Sequence, residues 1–182
     1  MNRNRKLILL AALLVVVIAG ATIAYNQLAP GASGNGAQDA EQLAAPDFTV
    51  YDADGHAVHL SDFAGDPVVI NFWASWCPPC KAERPDFEAA YQANEKDGEA
   101  VRFLMVALTD GSRETQQTAD AFLADNGYTF PVYYDLDYDA AYVYGIRSIP
   151  MTVFVDADGY VADYHIGQID AGTLQEGLDK IR

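Results

Sequence analysis

The sequence predicts an α/β domain with a central mixed β-sheet flanked by helices, spanning residues 46–182. Two apolar runs, 67–74 and 101–108, have the length and composition of buried strands, and a segment with helical patterning follows each of them. The domain then closes with a hairpin pattern at 151–166 and a last helical segment at 170–181. Strands that alternate with helices before a final hairpin and helix indicate one mixed sheet covered by helices.

Shorter patterns predict the other elements of the domain. In chain order these are a hairpin formed by "DFTVY" and "HAVHL", a capped turn at "SDFAG", helices at 78–94 and near 113–126, an extended "FPVYYD" and a helix in "YDAAYVYG". Gly145 is expected to end the last of these helices. The tetrapeptide "DADG" occurs at 52–55 and at 156–159 and predicts two hairpin turns, because Asp-Gly supplies the positive-φ position.

The first 25 residues predict a membrane segment. Residues 1–6 carry three positive charges, and the uncharged run 7–25 approaches the ~20 residues that a helix needs to cross a bilayer. The small residues "AGA" at 19–21 also fit a signal-peptide cleavage site, but the apolar run continues past them and favours an uncleaved anchor. Positive flanks stay in the cytoplasm, so we expect a single-pass cell-membrane protein whose domain is extracytoplasmic.

Residues 26–45 predict a flexible linker, because they are rich in Gly, Ala, Ser, Asn and Gln and have no hydrophobic period. All 26 acidic residues of the chain lie after residue 38, whereas only 8 of the 11 basic residues lie after residue 25. The part beyond the anchor therefore carries a formal charge near −18. This charge argues against nucleic acid as a partner. We expect these acidic residues to serve solubility. The alternative interpretation is that they favour basic protein substrates.

Both cysteines of the chain lie in "NFWASWCPPCKAERPDF", at positions 77 and 80. A closed zinc site needs two further ligands, and none of the three histidines has a partner at a suitable spacing. A purely structural disulfide is a weak alternative, since a loop this short restrains little of the unfolded chain. A redox-active dithiol remains, and it requires neither a metal nor another cofactor.

The position of the dithiol suits this chemistry. Cys77 falls where a helix begins, and the free N–H groups and dipole of a helix start favour the thiolate, which is the form that attacks disulfides. Cys80, one turn later, is expected to be less exposed and to resolve the mixed disulfide. Pro78 fits the first helical position, and Pro79 removes a second N–H donor. Trp76 is expected to shield the disulfide and to form part of the substrate surface.

Two segments resemble the thioredoxin superfamily. "WCPPCKAERP" is similar to its W-C-x-x-C motif, followed by a helix proline five residues after the second cysteine, which is Pro85 here. "YGIRSIPMTVF", at 144–154, resembles the segment that ends in a cis-proline opposite the dithiol. The resemblance implies a thioredoxin-like fold and a cis bond between Ile149 and Pro150, which exposes backbone to an extended substrate.

Finer features resemble the extracytoplasmic TlpA/ResA branch of this superfamily, which includes DsbE/CcmG-like proteins. These are the leading "APDF", an insertion around 109–135, the anchor and the linker. Asn71 stands where cytosolic thioredoxins have a buried Asp. Taken alone, Glu83 is expected to be an exposed helix residue, loosely paired with Arg84 or Lys81. The resemblance instead gives Glu83 a catalytic role, in which a poorly solvated carboxyl group exchanges a proton with Cys80.

The resemblance implies a protein-disulfide reductase that acts on a substrate such as the C-x-x-C-H disulfide of apocytochrome c. Separately, we expect the protein to be a monomer. A membrane electron donor of CcdA or DsbD type would restore its dithiol. A DsbA-like disulfide-forming oxidase and a general extracytoplasmic thioredoxin are the alternatives. A peroxidase fits poorly, because Ile70 and Ala74 depart from the peroxiredoxin motif. A tethered binding module with incidental cysteines is the remaining alternative.

Overall fold

The computed structural model of the protein describes residues 13, 14, 18, 42–98 and 101–182. Leu13, Leu14 and Ile18 are helical. No helix among the described residues is both long and apolar enough to cross a membrane. Apart from those three residues, the predicted anchor at 7–25 lies outside the described residues, as does most of the predicted linker at 26–45.

Within the described residues 42–98 and 101–182, the domain contains seven strands, four α-helices and one 3-10 turn. In chain order these are β1 (Thr49–Tyr51), β2 (Ala57–His59), the 3-10 turn (Leu60–Phe63), β3 (Val68–Trp73), α1 (Pro78–Asp97), β4 (Arg102–Ala107), α2 (Gln116–Asn126), β5 (Val132–Tyr134), α3 (Asp139–Val143), β6 (Met151–Val155), β7 (Val161–Ile166) and α4 (Ala171–Ile181). Every element predicted for the domain is present in this order, which confirms the α/β prediction.

The strands form one mixed sheet in the order β2-β1-β5-β4-β3-β6-β7. The central strand β3 pairs in parallel with β4 and antiparallel with β6. The two predicted hairpins, β1–β2 and β6–β7, form the two edges of the sheet. All residues of the central strand β3 are buried. The dithiol follows the short turn at the carboxyl end of this strand.

The alternation of side chains along β3 divides the core between the two faces of the sheet. Ile70 and Phe72 pack into one apolar cluster, which also contains the first hairpin and α3. Val69 points to the other face, where the apolar sides of α1 and α4 cover the sheet. Asn71 and Trp73 share the parity of Val69, so they face α1, the helix that begins with the two cysteines.

Two predicted helix boundaries differ from the structure. Helix α1 continues three residues beyond the predicted end and stops at Gly98, whose positive φ of 68° forms a left-handed cap. The helix expected near 113–126 begins only at Gln116. Asp110 Oδ1 accepts backbone N–H bonds from Ser112, Arg113 and Glu114, and this bonding holds the preceding residues in a loop instead of a first helical turn.

Candidate active site

The dithiol lies at the junction of β3 and α1, where the sequence predicts it. Cys77 caps the N-terminus of α1, and it is joined to Cys80 by a disulfide bond. Pro78 and Pro79 are the first two helical residues, and Pro85 lies within the same helix. Neither of the first two prolines has an N–H, so the backbone N–H of Cys80, 3.3 Å away, is the donor that reaches Cys77 Sγ.

The two sulfur-bearing residues differ in access to the surface. Cys80 is fully buried, whereas Cys77 retains 3% of its surface and borders an open groove of about 550 Å³. Trp76 is 41% exposed and lines the same groove, while Trp73 is fully buried in the core. The groove therefore leads to Cys77, the cysteine predicted to attack the substrate, and Cys80 is shielded behind it.

The segment that contains Ile149 lies next to the dithiol, although Ile149 and Cys77 are 72 residues apart in the sequence. The Ile149–Pro150 peptide bond is cis, which confirms the prediction. The carbonyl oxygen of Ile149 lies 3.7 Å from Cys77 Sγ. Ile149 lines the groove, whereas the Pro150 side chain is buried. The backbone of Ile149 therefore borders the surface from which Cys77 is reached.

Glu83 is fully buried, which contradicts the expectation of an exposed helix residue based on its local sequence. Its Oε1 accepts a hydrogen bond of 2.9 Å from Asn71 Nδ2, and its Oε2 accepts one of 3.1 Å from the backbone N–H of Ile169. Burial raises the pKa of Glu83, while the charge of Arg84 and these hydrogen bonds oppose the increase. No hydrogen bond joins Glu83 to either sulfur among the described residues; its contacts run through the core beneath the dithiol.

The sequence predicts Arg84 only as a loose partner of an exposed Glu83, but the structure places it in the core. It is fully buried, and its guanidinium group lies over the rings of Trp73, Phe87 and Phe130 at 5.0–5.8 Å. Its Nε donates to the carbonyl oxygen of Cys80 at 3.0 Å, and its Nη2 donates to Glu83 at 2.8 Å. Burial lowers the pKa of Arg84 to about 10, so the side chain remains a cation at neutral pH.

Asn71 completes this buried network. Its Oδ1 accepts a hydrogen bond from Arg84, and its Nδ2 also donates to Thr152 on β6 at 2.9 Å. A hydrogen-bonded chain thus runs from the backbone of Cys80 through Arg84 to Glu83 and Asn71. The sequence carried one signal for it, since a strand as apolar as β3 has a single amide at the position facing α1.

Glu114 is another buried carboxyl group close to the dithiol, and no sequence prediction included it. It lies in the loop before α2, and its Oε2 accepts hydrogen bonds from the backbone N–H of Ser75 at 2.9 Å and from Ser75 Oγ at 2.6 Å. Burial raises the pKa of Glu114. Ser75 lies in the turn between β3 and Cys77, so this carboxyl group fixes the active-site turn to the 109–115 loop. No pattern in the sequence connects these two segments.

One cluster of titratable groups away from the dithiol has the composition of a metal site. Among the described residues, Asp52, Asp54 and His56 are the group of three potential ligands whose donor atoms lie within 4.8 Å of one another. They lie at the turn between β1 and β2, and they do not line the groove at Cys77.

Comparison with known proteins yields relatives with this chemistry. The AhpC/TSA family profile matches residues 42–164. The thiol-disulfide oxidoreductase ResA of Oceanobacillus iheyensis is 34% identical over 142 residues, which cover 76% of this chain and 71% of that protein. ResA of Geobacillus kaustophilus is 29% identical over 184 residues, covering 100% of this chain and 99% of the relative. The crystal structure of StoA from Bacillus subtilis is similar with a TM-score of 0.62 and 29% identity, over 73% of this chain and 96% of that chain.

These similarities and the geometry of the site agree. The matched region contains the dithiol, the buried Glu83 and the cis-proline, and the fold around them is the thioredoxin-like α/β fold that the two motifs imply. The relatives named above as ResA are thiol-disulfide oxidoreductases. The chain therefore belongs to the AhpC/TSA family, as a thiol-disulfide oxidoreductase of the TlpA/ResA type.

Proposed function

We propose that the protein is a membrane-anchored, extracytoplasmic reductase of protein disulfides. The observation that carries the direction of electron flow is the hydrogen bonding of Cys77. Its sulfur receives the N–H of Cys80, but Pro78 and Pro79 withhold the other two N–H groups of the first helical turn. A strong oxidant is one whose reduced form is stabilised. A thiolate with fewer donors is less stabilised, and this favours a dithiol that gives its electrons away.

In the proposed reaction, the Cys77 thiolate attacks one sulfur of the substrate disulfide. The substrate S–S bond breaks, a mixed disulfide forms, and the released substrate thiolate takes up a proton. Cys80 then loses its proton and attacks the Cys77 sulfur, which releases the second substrate thiol and leaves the Cys77–Cys80 disulfide. Two electrons and two protons pass from the dithiol to the substrate.

Glu83 is the proposed proton carrier for Cys80. Its burial raises its pKa, which brings a carboxyl group closer to the range in which it exchanges protons near neutral pH. Arg84 contacts both the carbonyl oxygen of Cys80 and the Glu83 carboxylate, so it orients the two groups on adjacent turns of α1. These contacts support a coupling between the charge of Glu83 and the ionisation of Cys80.

The reduction potential tests the direction. Equilibration of the full chain with glutathione mixtures is expected to give a potential nearer the ~−270 mV of thioredoxin than the ~−120 mV of DsbA. A potential near the DsbA value, together with a strongly depressed pKa of Cys77, would identify the alternative, a disulfide-forming oxidase.

The proposed substrate is a protein disulfide such as the C-x-x-C-H pair of apocytochrome c, and the proposed electron donor is a membrane protein of CcdA or DsbD type. A Cys80→Ala variant cannot resolve its mixed disulfide and is expected to remain covalently bound to its substrate through Cys77. Mass spectrometry of the trapped species identifies the substrate. A Cys77→Ser, Cys80→Ala double variant is the control and is expected to trap nothing.

The proposed anchor is the apolar run 7–25, with residues 1–6 in the cytoplasm. The full chain is then expected in the membrane fraction, with its domain open to protease added outside the cytoplasmic membrane. The N-terminal sequence of the isolated protein distinguishes an anchor from a signal peptide, since cleavage after Ala21 would leave a chain that begins at Thr22.

A further inference from the structure

The groove at Cys77 differs in charge from the rest of the domain. Its lining includes two arginines, Arg113 and Arg147, and a single acidic residue, Asp110. The part of the chain after residue 25 has 26 acidic and only 8 basic residues, so two arginines in one groove are a marked local excess. The charge of the groove is therefore opposite to that of the domain as a whole.

Asp110 does not cancel both positive charges. Its Oδ1 accepts three backbone N–H bonds from its own loop, and its Oδ2 lies 3.2 Å from Arg113 Nε. Arg113 in turn lies over the Trp76 ring, at 4.1 Å from its centroid. Arg147 is exposed, and no ion pair or hydrogen bond joins it to another described residue. The groove thus keeps one uncompensated positive charge.

Arg147 lies close to the path of the substrate. It is two residues before Ile149, whose carbonyl oxygen is 3.7 Å from Cys77 Sγ, and two residues span at most about 7 Å. An extended substrate segment that passes the backbone of Ile149 with its cysteine at Cys77 therefore brings its own flanking side chains within reach of Arg147. Trp76 and Tyr138 offer aromatic surface along the same groove.

We infer that the groove selects an oxidised protein segment with an Asp or Glu side chain two or three residues from the cysteine that Cys77 attacks. This inference rests on the proposed reaction at the same site and adds the class of its substrate. Arg147 is the ion-pair partner of the substrate carboxylate, and Arg113, held against Trp76, supports it. Glu114, Asp137 and Asp139 adjoin lining residues in the sequence, but their carboxyl groups accept hydrogen bonds from Ser75, Tyr51 and Thr49, which lie outside the lining. Charges beyond a Debye length, ~10 Å at 0.1 M salt, are largely screened, so Arg147 supplies the uncompensated charge that a substrate in the groove meets.

Peptides with an internal disulfide test this selectivity. Three peptides differ only at the position two residues from the first cysteine, which is Asp, Asn or Lys. The reduced full chain is expected to reduce the Asp peptide about two- to fivefold faster than the Asn peptide, the range of a partly exposed ion pair, with the Lys peptide slowest. The Asp-to-Lys rate ratio is expected to fall as the salt concentration rises.

Variants assign the effect to the groove. Arg147→Gln is expected to bring the Asp-to-Lys ratio close to one, and Arg147→Glu to invert it. Arg102→Gln is the matched control, because it changes the net charge equally but removes an exposed arginine that pairs with Asp66 outside the groove. This control is expected to keep the wild-type ratio.

A binding experiment separates the selectivity from the reaction. The same peptides with alanine in place of both cysteines are titrated against the oxidised full chain, with tryptophan fluorescence as the readout. Equal affinity for the Asp and Lys analogues would overturn the inference, even if both disulfide peptides are reduced. Preferential binding of the Asp analogue, with no reduction of any disulfide peptide, would support the charge selectivity of the groove. The same result would contradict the proposed disulfide-reductase activity.

Discussion

Arg84 Nη2 donates to Glu83 Oε1 at 2.8 Å, and both side chains are fully buried beneath the dithiol. Removal of one partner of a buried ion pair typically costs 3–5 kcal/mol, because the other charge remains without compensation. A carboxylate can avoid part of this cost by taking up a proton, which removes its charge. A guanidinium group does not lose its proton in proteins, so it keeps its charge. The pair therefore makes stability sensitive to pH through Glu83.

The first prediction concerns Arg84→Met, which fills a similar volume without the charge. Loss of the cation removes a contact that lowers the pKa of Glu83, so the folded-state pKa rises further above its unfolded value. The stabilising contribution of such a group is full below the unfolded pKa, about 4.3, and is lost as the pH rises through the folded pKa. Urea denaturation is expected to show a larger loss of stability at pH 8 than at pH 5. Equal losses at both pH values would reduce Arg84 to a packing residue.

The second prediction concerns Glu83→Gln, which keeps the shape of the side chain but cannot exchange a proton. Because burial raises the pKa of Glu83, the wild-type rate of thiol exchange is expected to show an inflection above the usual carboxyl range. The variant is expected to lose that inflection and to react about 10²-fold more slowly, the lower end for general acid–base catalysis. An unaltered pH profile in stopped-flow measurements would remove Glu83 from the proton-transfer step.

The third prediction concerns Glu114, whose carboxyl group accepts both hydrogen bonds of Ser75. Glu114→Ala leaves a half-buried N–H group without its partner and is expected to cost about 1–3 kcal/mol in the free energy of unfolding. Glu114→Gln keeps an acceptor oxygen and is expected to cost less. Alkylation of reduced Cys77 by iodoacetamide is expected to change in the alanine variant, since the turn that carries the cysteine loses its fixation. An alanine variant with wild-type stability and alkylation rate would contradict this assignment.

The fourth prediction tests how closely α4 packs on the sheet. A Cβ atom at Gly177 would lie 2.2 Å from the ring of Phe154, which is fully buried. Gly177→Ala gains up to about 1 kcal/mol of helix propensity but is expected to lose about 1–3 kcal/mol to overpacking, so the variant is destabilised. Gly172→Ala, in the same helix, meets its nearest atom at 3.6 Å and is expected to be neutral or stabilised. Thermal unfolding of the two variants provides the comparison, and similar melting temperatures would contradict the predicted clash.

The backbone of the site could be predicted from the sequence because its signals are local. An apolar run followed by C-P-P-C predicts a strand, a turn and a helix start, and the resemblance of "YGIRSIP" to a known segment predicts the cis bond at Pro150. The resemblance implies a poorly solvated Glu83, but local periodicity predicts neither the burial of Glu83 nor that of Arg84. Their partners come from distant positions: Asn71 lies 12 residues before Glu83, and Ile169 lies 86 residues after it. Whether a charged helix residue is buried depends on such partners, which periodicity does not reveal.

The hydrogen bond from Ile169 N–H to Glu83 also makes the protonation of Glu83 observable by NMR. The backbone N–H of Ile169, in the segment that leads into α4, donates a hydrogen bond to the Glu83 carboxylate in the buried network. Its amide resonance in an NMR spectrum should therefore move when that carboxylate gains or loses its proton. The titration of the centre becomes visible without a label on either sulfur and without any change to the chain.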